Sequence, residues 1–108
     1  MAREVTQDVF AAAWAEGALA VDVREPDEYA AGHVPGARLM PLRTVPARCA
    51  ELPAGRPVYV ICASGNRSRT AADWMNSRGL DACSVTGGTR GWARGGRPVT
   101  TGSPGRSA

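Results

Sequence analysis

Val58, Tyr59, Val60 and Ile61 form an unbroken apolar run that leads straight into Cys62 and then into Ala63-Ser64-Gly65-Asn66-Arg67-Ser68. A strand with one wet face alternates apolar and polar residues, so an uninterrupted run predicts a central strand covered on both sides. Helices must then lie above and below the sheet. Shorter β-like runs at Arg3–Val5, Leu19–Val23, Ala37–Met40 and Ala82–Val85 alternate with helical or turn-rich stretches, as parallel strands joined by crossovers require. The expected class is α/β, with one five-stranded parallel sheet flanked by helices on both faces.

The segments between the strands carry their own punctuation. Thr6 is suited to cap a first helix in which Phe10, Ala13 and Trp14 recur at three- and four-residue spacing before Gly17. Pro26 after Glu25, with Asp27 and Glu28 at the positive helix end, predicts a short second helix stopped by Gly32. A third covers Leu42 to Glu51, with Pro46 arguing against its regularity. Ser68 or a neighbour caps the clearest helix, which puts Ala71, Ala72 and Met75 on one face and ends before Gly79.

A chain of 108 residues holds one domain, and its 44% apolar content fills one core without disulfides. The expected boundaries are residues 1–98 for the domain and 99–108, VTTGSPGRSA, for a disordered tail. All 13 basic residues are arginine, which excludes a Schiff-base lysine and the lysine of a phosphate-binding loop. His33 is the only histidine and no Cys-x-x-Cys pair occurs, so a zinc site is not expected and neither is any other metal. The first 21 residues intersperse Arg3, Glu4, Asp8 and Glu16 among alanines, unlike a signal peptide or membrane span, and a cytoplasmic protein is expected. The four arginines after residue 81 face no acid, yet no aromatic stacking surface or recognition helix accompanies them, and nucleic acid is not an expected partner.

Three cysteines, at 49, 62 and 83, are expected to be free thiols, and their settings differ. Cys62 closes the central strand just before a helix start, where ligands of open parallel sheets bind and where loop amides converge on an anion. Gly65 permits the positive φ that curls such a loop, and Arg67 and Arg69 add positive charge. A thiol pKa of about 8.5 falls in such places, and a drop of about two units corresponds to about 2.7 kcal/mol favouring the thiolate. Cys62 is therefore expected to be ionised at neutral pH and open to the crevice. Cys49 and Cys83 lack a glycine-rich turn and a following helix, and are expected to be structural.

VDVREPDEYAAGHVPGA at 21–37, CASGNRS at 62–68 and VTGGTRGWARGGRPV at 85–99 resemble, in order, the signature regions of single-domain rhodanese sulfurtransferases. The resemblance implies the same five-stranded fold and a cysteine that takes a sulfane sulfur from a donor such as thiosulfate, becomes a persulfide and passes the sulfur on, with no cofactor. Cys62 would be that residue, and Ala63, Ser64, Gly65, Asn66, Arg67 and Ser68 the cradle of the persulfide. Asp22 and Arg24 would orient the loop from behind, against the plainer reading of an Arg24–Glu28 surface pair. His33 is read as structural, Trp92 as core, and Gly87 and Gly88 as allowing close backbone approach beside the site. Arg97 departs from the family, where an apolar residue often precedes the last motif's proline.

The implied partners are a small anionic sulfur donor and a thiol, cyanide or protein acceptor, with neither membrane nor nucleic acid. Two alternatives stand beside this reading. One is a module on the same fold that docks a partner or carries sulfur without turnover. The other is a cysteine phosphatase or arsenate reductase, whose loop resembles Cys, five residues, then Arg. Here four residues separate Cys62 from Arg67, and Arg69 fits neither register. A residue spans up to about 3.5 Å, so the shorter loop leaves room for a terminal sulfur and crowds a tetrahedral oxyanion.

Overall fold

A computed structural model of the chain describes residues 2–103. Five strands, β1 (Arg3–Val5), β2 (Leu19–Asp22), β3 (Arg38–Leu39), β4 (Pro57–Ile61) and β5 (Asp81–Val85), form one sheet in the order β1-β5-β4-β2-β3, and every pairing is parallel. The apolar run of β4 lies in the middle of the sheet, as its composition demands. Val58 and Val60 point into one core with Val21, Val23, Ala71, Ala72 and Met75, while Ile61 points into the other with Phe10, Val34, Val85 and Trp92. Two cores on opposite faces explain why no polar residue interrupts the strand. Among the described residues no helix is long and apolar enough to cross a membrane.

The helices follow the sequence signals with instructive shifts. Helix α1 (Gln7–Ala15) is capped by Thr6, whose Oγ1 accepts the Val9 N–H at 3.2 Å. Helix α2 (Pro26–Ala31) starts on proline and closes a capping box, in which the Glu25 N–H donates to Glu28 Oε1 at 2.9 Å. The predicted third helix is broken into a 3₁₀ turn at Leu42–Thr44, one α turn α3 (Val45–Arg48) and a second 3₁₀ turn at Cys49–Glu51. Pro46, lacking an N–H, sits where the α turn begins, its one tolerated place.

Helix α4 (Asn66–Ser77) is capped by Gly65 in the left-handed region, φ 112°, and Ser68 is therefore not its cap. The correction matters because it puts Ser68 in the first turn, fully buried, instead of at the entrance. Helix α5 (Gly88–Arg94) forms in a glycine-rich stretch that carries no helix signal. Trp92 on α5 is fully buried against Phe10 and Trp14, and its indole N–H donates to the Pro98 carbonyl at 2.6 Å.

The expected disordered tail is overturned over its first residues. Thr100 pairs antiparallel with His33, and the Gly102 N–H donates to the Ala30 carbonyl at 2.9 Å. The extended backbone at His33 offers unused N–H and C=O groups, and residues after Pro98 satisfy them. Residues 104–108 of that tail lie outside the described residues.

Candidate active site

Strand β4 delivers Cys62 to the carboxyl edge of the sheet, and the chain then turns back over its sulfur. The turn depends on Gly65, whose φ of 112° no ordinary side chain adopts without strain, and which aims its N–H at Cys62 Sγ, 3.1 Å away. Ser68, one helical turn further on, brings its Oγ to 3.4 Å from the sulfur. Burial pushes the Cys62 thiol up, but the Ser68 hydroxyl and the backbone N–H groups of Ser68, Gly65 and Ser64 outweigh it, so the thiol lies below its ordinary range.

A second segment holds this loop from the far end of the chain. The Thr89 N–H donates to the Cys62 carbonyl at 2.7 Å and the Arg90 N–H to the Ala63 carbonyl at 3.1 Å, so the start of α5 grips the start of the loop. Contact this close needs Gly88, which has φ +57°. A Cβ there would stand 2.3 Å from the Cys62 carbonyl oxygen and 2.6 Å from that of Ala63. Gln7 braces the same corner, its Nε2 donating to the carbonyls of Thr86 and Gly88 at 2.8 and 2.9 Å.

The loop side chains do less for the sulfur than their charges suggested. Arg67 turns its guanidinium fork onto Glu28, with Nη1 to Oε1 at 2.8 Å and Nη2 to Oε2 at 3.0 Å. Arg69 bonds Asn66 Oδ1 at 2.7 Å. Hydrogen bonding to Arg67 is the main reason Glu28 is held down at about 2, with burial opposing and the Glu25 N–H adding to the effect. The positive field at Cys62 is therefore made chiefly by backbone and hydroxyl donors. Ala63 takes part through its carbonyl, and Asn66 serves mainly to open α4.

Asp22 and Arg24 are buried together and bond each other. Arg24 Nε lies 3.0 and 3.2 Å from the two carboxylate oxygens, and Nη2 lies 2.8 Å from Oδ2 and 2.8 Å from the Gly32 carbonyl. Their influence on the loop is at a distance, through the field that Arg24 exerts on Glu28 and Asp22 on Arg67. The Arg24–Glu28 surface pair is replaced by Arg67–Glu28. His33 stacks on Tyr29 with ring centroids 3.6 Å apart and bonds the Tyr29 carbonyl through Nδ1 at 2.7 Å, a packing role. Among the described residues no three of His, Cys, Asp and Glu stand close enough together to hold a metal ion.

One expectation needs correcting. The Cys62 thiol is not open to the crevice, since only 1% of the residue is exposed. Sequence reasoning also passed over Glu28 as the partner of Arg67, and over Ser84, whose Oγ lies 2.7 Å from Ser68 Oγ. The signal for Ser84 was present, as a lone hydroxyl inside Ala82-Cys83-Ser84-Val85.

Comparison with protein families matches residues 6–94 to the rhodanese-like domain. A protein of Allochromatium vinosum named as a sulfurtransferase is 38% identical over 85 residues, covering 78% of this chain and 79% of that one. Among solved structures, a rhodanese-related protein from Thermoplasma volcanium superposes with a TM-score of 0.87 at 28% identity, covering 93% of this chain and 99% of its own. A thiosulfate sulfurtransferase from Pseudomonas aeruginosa superposes with a TM-score of 0.85 at 25% identity over 94% of this chain, which spans 21% of that larger protein.

Proposed function

This chain belongs to the rhodanese-like family, and from that premise we propose that it is a sulfurtransferase carrying sulfane sulfur on Cys62. The observation that carries the reading is the ring of donors, Gly65 N–H at 3.1 Å and Ser68 Oγ at 3.4 Å, around a thiol held below its ordinary range. The Cys62 thiolate attacks the outer sulfur of a donor such as thiosulfate. The S–S bond of the donor breaks, sulfite leaves with its electron pair, and a Cys62 persulfide anion remains. A cyanide or thiolate acceptor then attacks the terminal sulfur and regenerates the thiolate. The same donors serve both anions, so neither half of the cycle needs a rearranged charge environment. With Cys62 1% exposed, donor entry requires the structure over the sulfur to open.

The test is intact mass after incubation with thiosulfate. We expect a gain of one sulfur, about 32 Da, on Cys62, lost again on adding cyanide and absent from Cys62→Ser. A chain that gains nothing is not a sulfur carrier. In that event the docking module becomes the better reading. Its support is the apolar groove of Leu42, Val45, Pro46, Thr70 and Trp74, in which Trp74, on α4 itself, is 38% exposed.

A further inference from the structure

Ser84 is the lone hydroxyl in the buried part of β5, and it is as inaccessible as the alanine, cysteine and valine around it. A hydroxyl that deep must be hydrogen-bonded or it destabilises the fold. Its bond runs to Ser68 Oγ at 2.7 Å, and Ser68 Oγ in turn lies 3.4 Å from Cys62 Sγ. Three side chains from β5, α4 and the end of β4 thus make one line from the core to the sulfur, with Cys62, Ser68 and Ser84 all shut off from solvent. The anchor is rigid, because Ser84 is locked opposite Val60 in one pairing and opposite Glu4 in the other.

We infer that Ser84 is a positioning residue for sulfur transfer: its hydroxyl donates to Ser68 Oγ, which turns the Ser68 O–H onto the Cys62 sulfur and favours the thiolate and persulfide over the neutral thiol. The inference rests on the reading of Cys62 as sulfur carrier. Its basis is a proton account. Each hydroxyl has one proton to give and lone pairs to accept with. When the sulfur is an anion, Ser84 gives to Ser68, Ser68 gives to the sulfur, and every proton in the line has an acceptor. When the sulfur is a neutral thiol, three protons share the two contacts of the line, and whichever way the hydroxyls turn, one proton is left with no acceptor in it. On ionisation the thiol proton goes to solvent water, while the hydroxyl protons stay on their own oxygens and only rotate. The low dielectric of the interior enlarges the preference.

The experiment is the pH dependence of Cys62 alkylation by iodoacetamide, read at the Cys62 peptide by mass so that the other thiols do not contribute. Ser84→Ala should alkylate about tenfold more slowly near neutral pH and recover its rate at higher pH, a displaced profile equivalent to about 1.4 kcal/mol. Ser84→Thr, which keeps the hydroxyl, should restore the wild-type profile. A loss of packing alone would change the rate at all pH values and leave the midpoint in place. A folded Ser84→Ala chain with an unmoved midpoint overturns the inference. If that variant does not fold, Ser84→Cys, close in size and a poor donor, decides on the same two outcomes. Adding thiosulfate to the wild-type chain separates the two layers: a displaced profile without a sulfur adduct defeats the carrier reading and leaves the relay intact, and an adduct with an unmoved profile does the reverse.

Discussion

Cys62 stands just past the end of β4 and Cys83 within its neighbour β5, and both are closed to solvent, yet they are opposites as acids. Burial pushes the Cys83 thiol up, and Arg3, paired across from it on β1, brings it only part of the way back. Its strand is hydrogen-bonded on both sides, to β1 and to β4, so the backbone has no donor to spare. At Cys62 the strand has ended. Gly65 turns the chain, and N–H groups that a ladder would have consumed point at the sulfur instead. Burial by itself makes a thiol inert. It becomes reactive where the backbone stops pairing with itself and directs its donors inward.

The strongest way to break this contrast is by substitution of each sulfur. Cys62→Ser should lower thiosulfate-to-cyanide sulfur transfer by more than about 10³-fold, and Cys83→Ser should stay within about twofold. Equal losses in two variants whose circular dichroism matches the wild type would erase the distinction. Next in size is the grip of α5 on the loop. Gly88→Ala forces a Cβ to 2.3 Å from the Cys62 carbonyl oxygen and should cost about 3 kcal/mol in urea unfolding, with activity lost alongside. Gly79→Ala, at φ +88° but in open space, should cost about 1 kcal/mol and leave transfer unchanged.

Glu28→Gln sharpens the contrast by separating side-chain charge from backbone donors. Glu28 is held at about 2, below its ordinary 4.5, so its contribution is present above pH 4.5 and fades as pH falls through about 2. About a third of each partner is exposed, and screening leaves about 1 kcal/mol. The variant should be less stable by that amount at pH 7 and converge on the wild type in acid. The smallest effect lies at alkaline pH. The folded chain holds the Cys83 proton longer than the unfolded chain does, so stability falls as pH rises past the ordinary thiol range. Cys62, shifted the other way, adds stability as pH rises toward that range. Urea melts from pH 7 to 10 should therefore show a shallower alkaline decline in Cys83→Ala than in the wild type.

The unbroken V-Y-V-I run was enough to read the central strand, and Cys62 followed from its position after it, because both depend on local chain properties. What the sequence concealed is contact at a distance. Arg67 reads as a charge beside the sulfur until Glu28, on another helix, captures it. Ser68 reads as a cap until Gly65 starts the helix earlier and sinks the hydroxyl into the core. Ser84 is an ordinary serine in a strand until the β4–β5 register sets it behind Ser68. The grip on the loop is likewise invisible in 62–68, because the segment that makes it begins at Gly88.

The grip of Thr89 and Arg90 on the carbonyls of Cys62 and Ala63 has a consequence for the life of the molecule. Until α5 packs, the loop lacks these two bonds, and the donors around the sulfur are held only by the turn at Gly65 and the start of α4. The sharpness of the thiol is thus tied to the packing of a segment more than twenty residues downstream. A chain whose α5 has frayed in heat carries a blunter thiol than one in which it is packed.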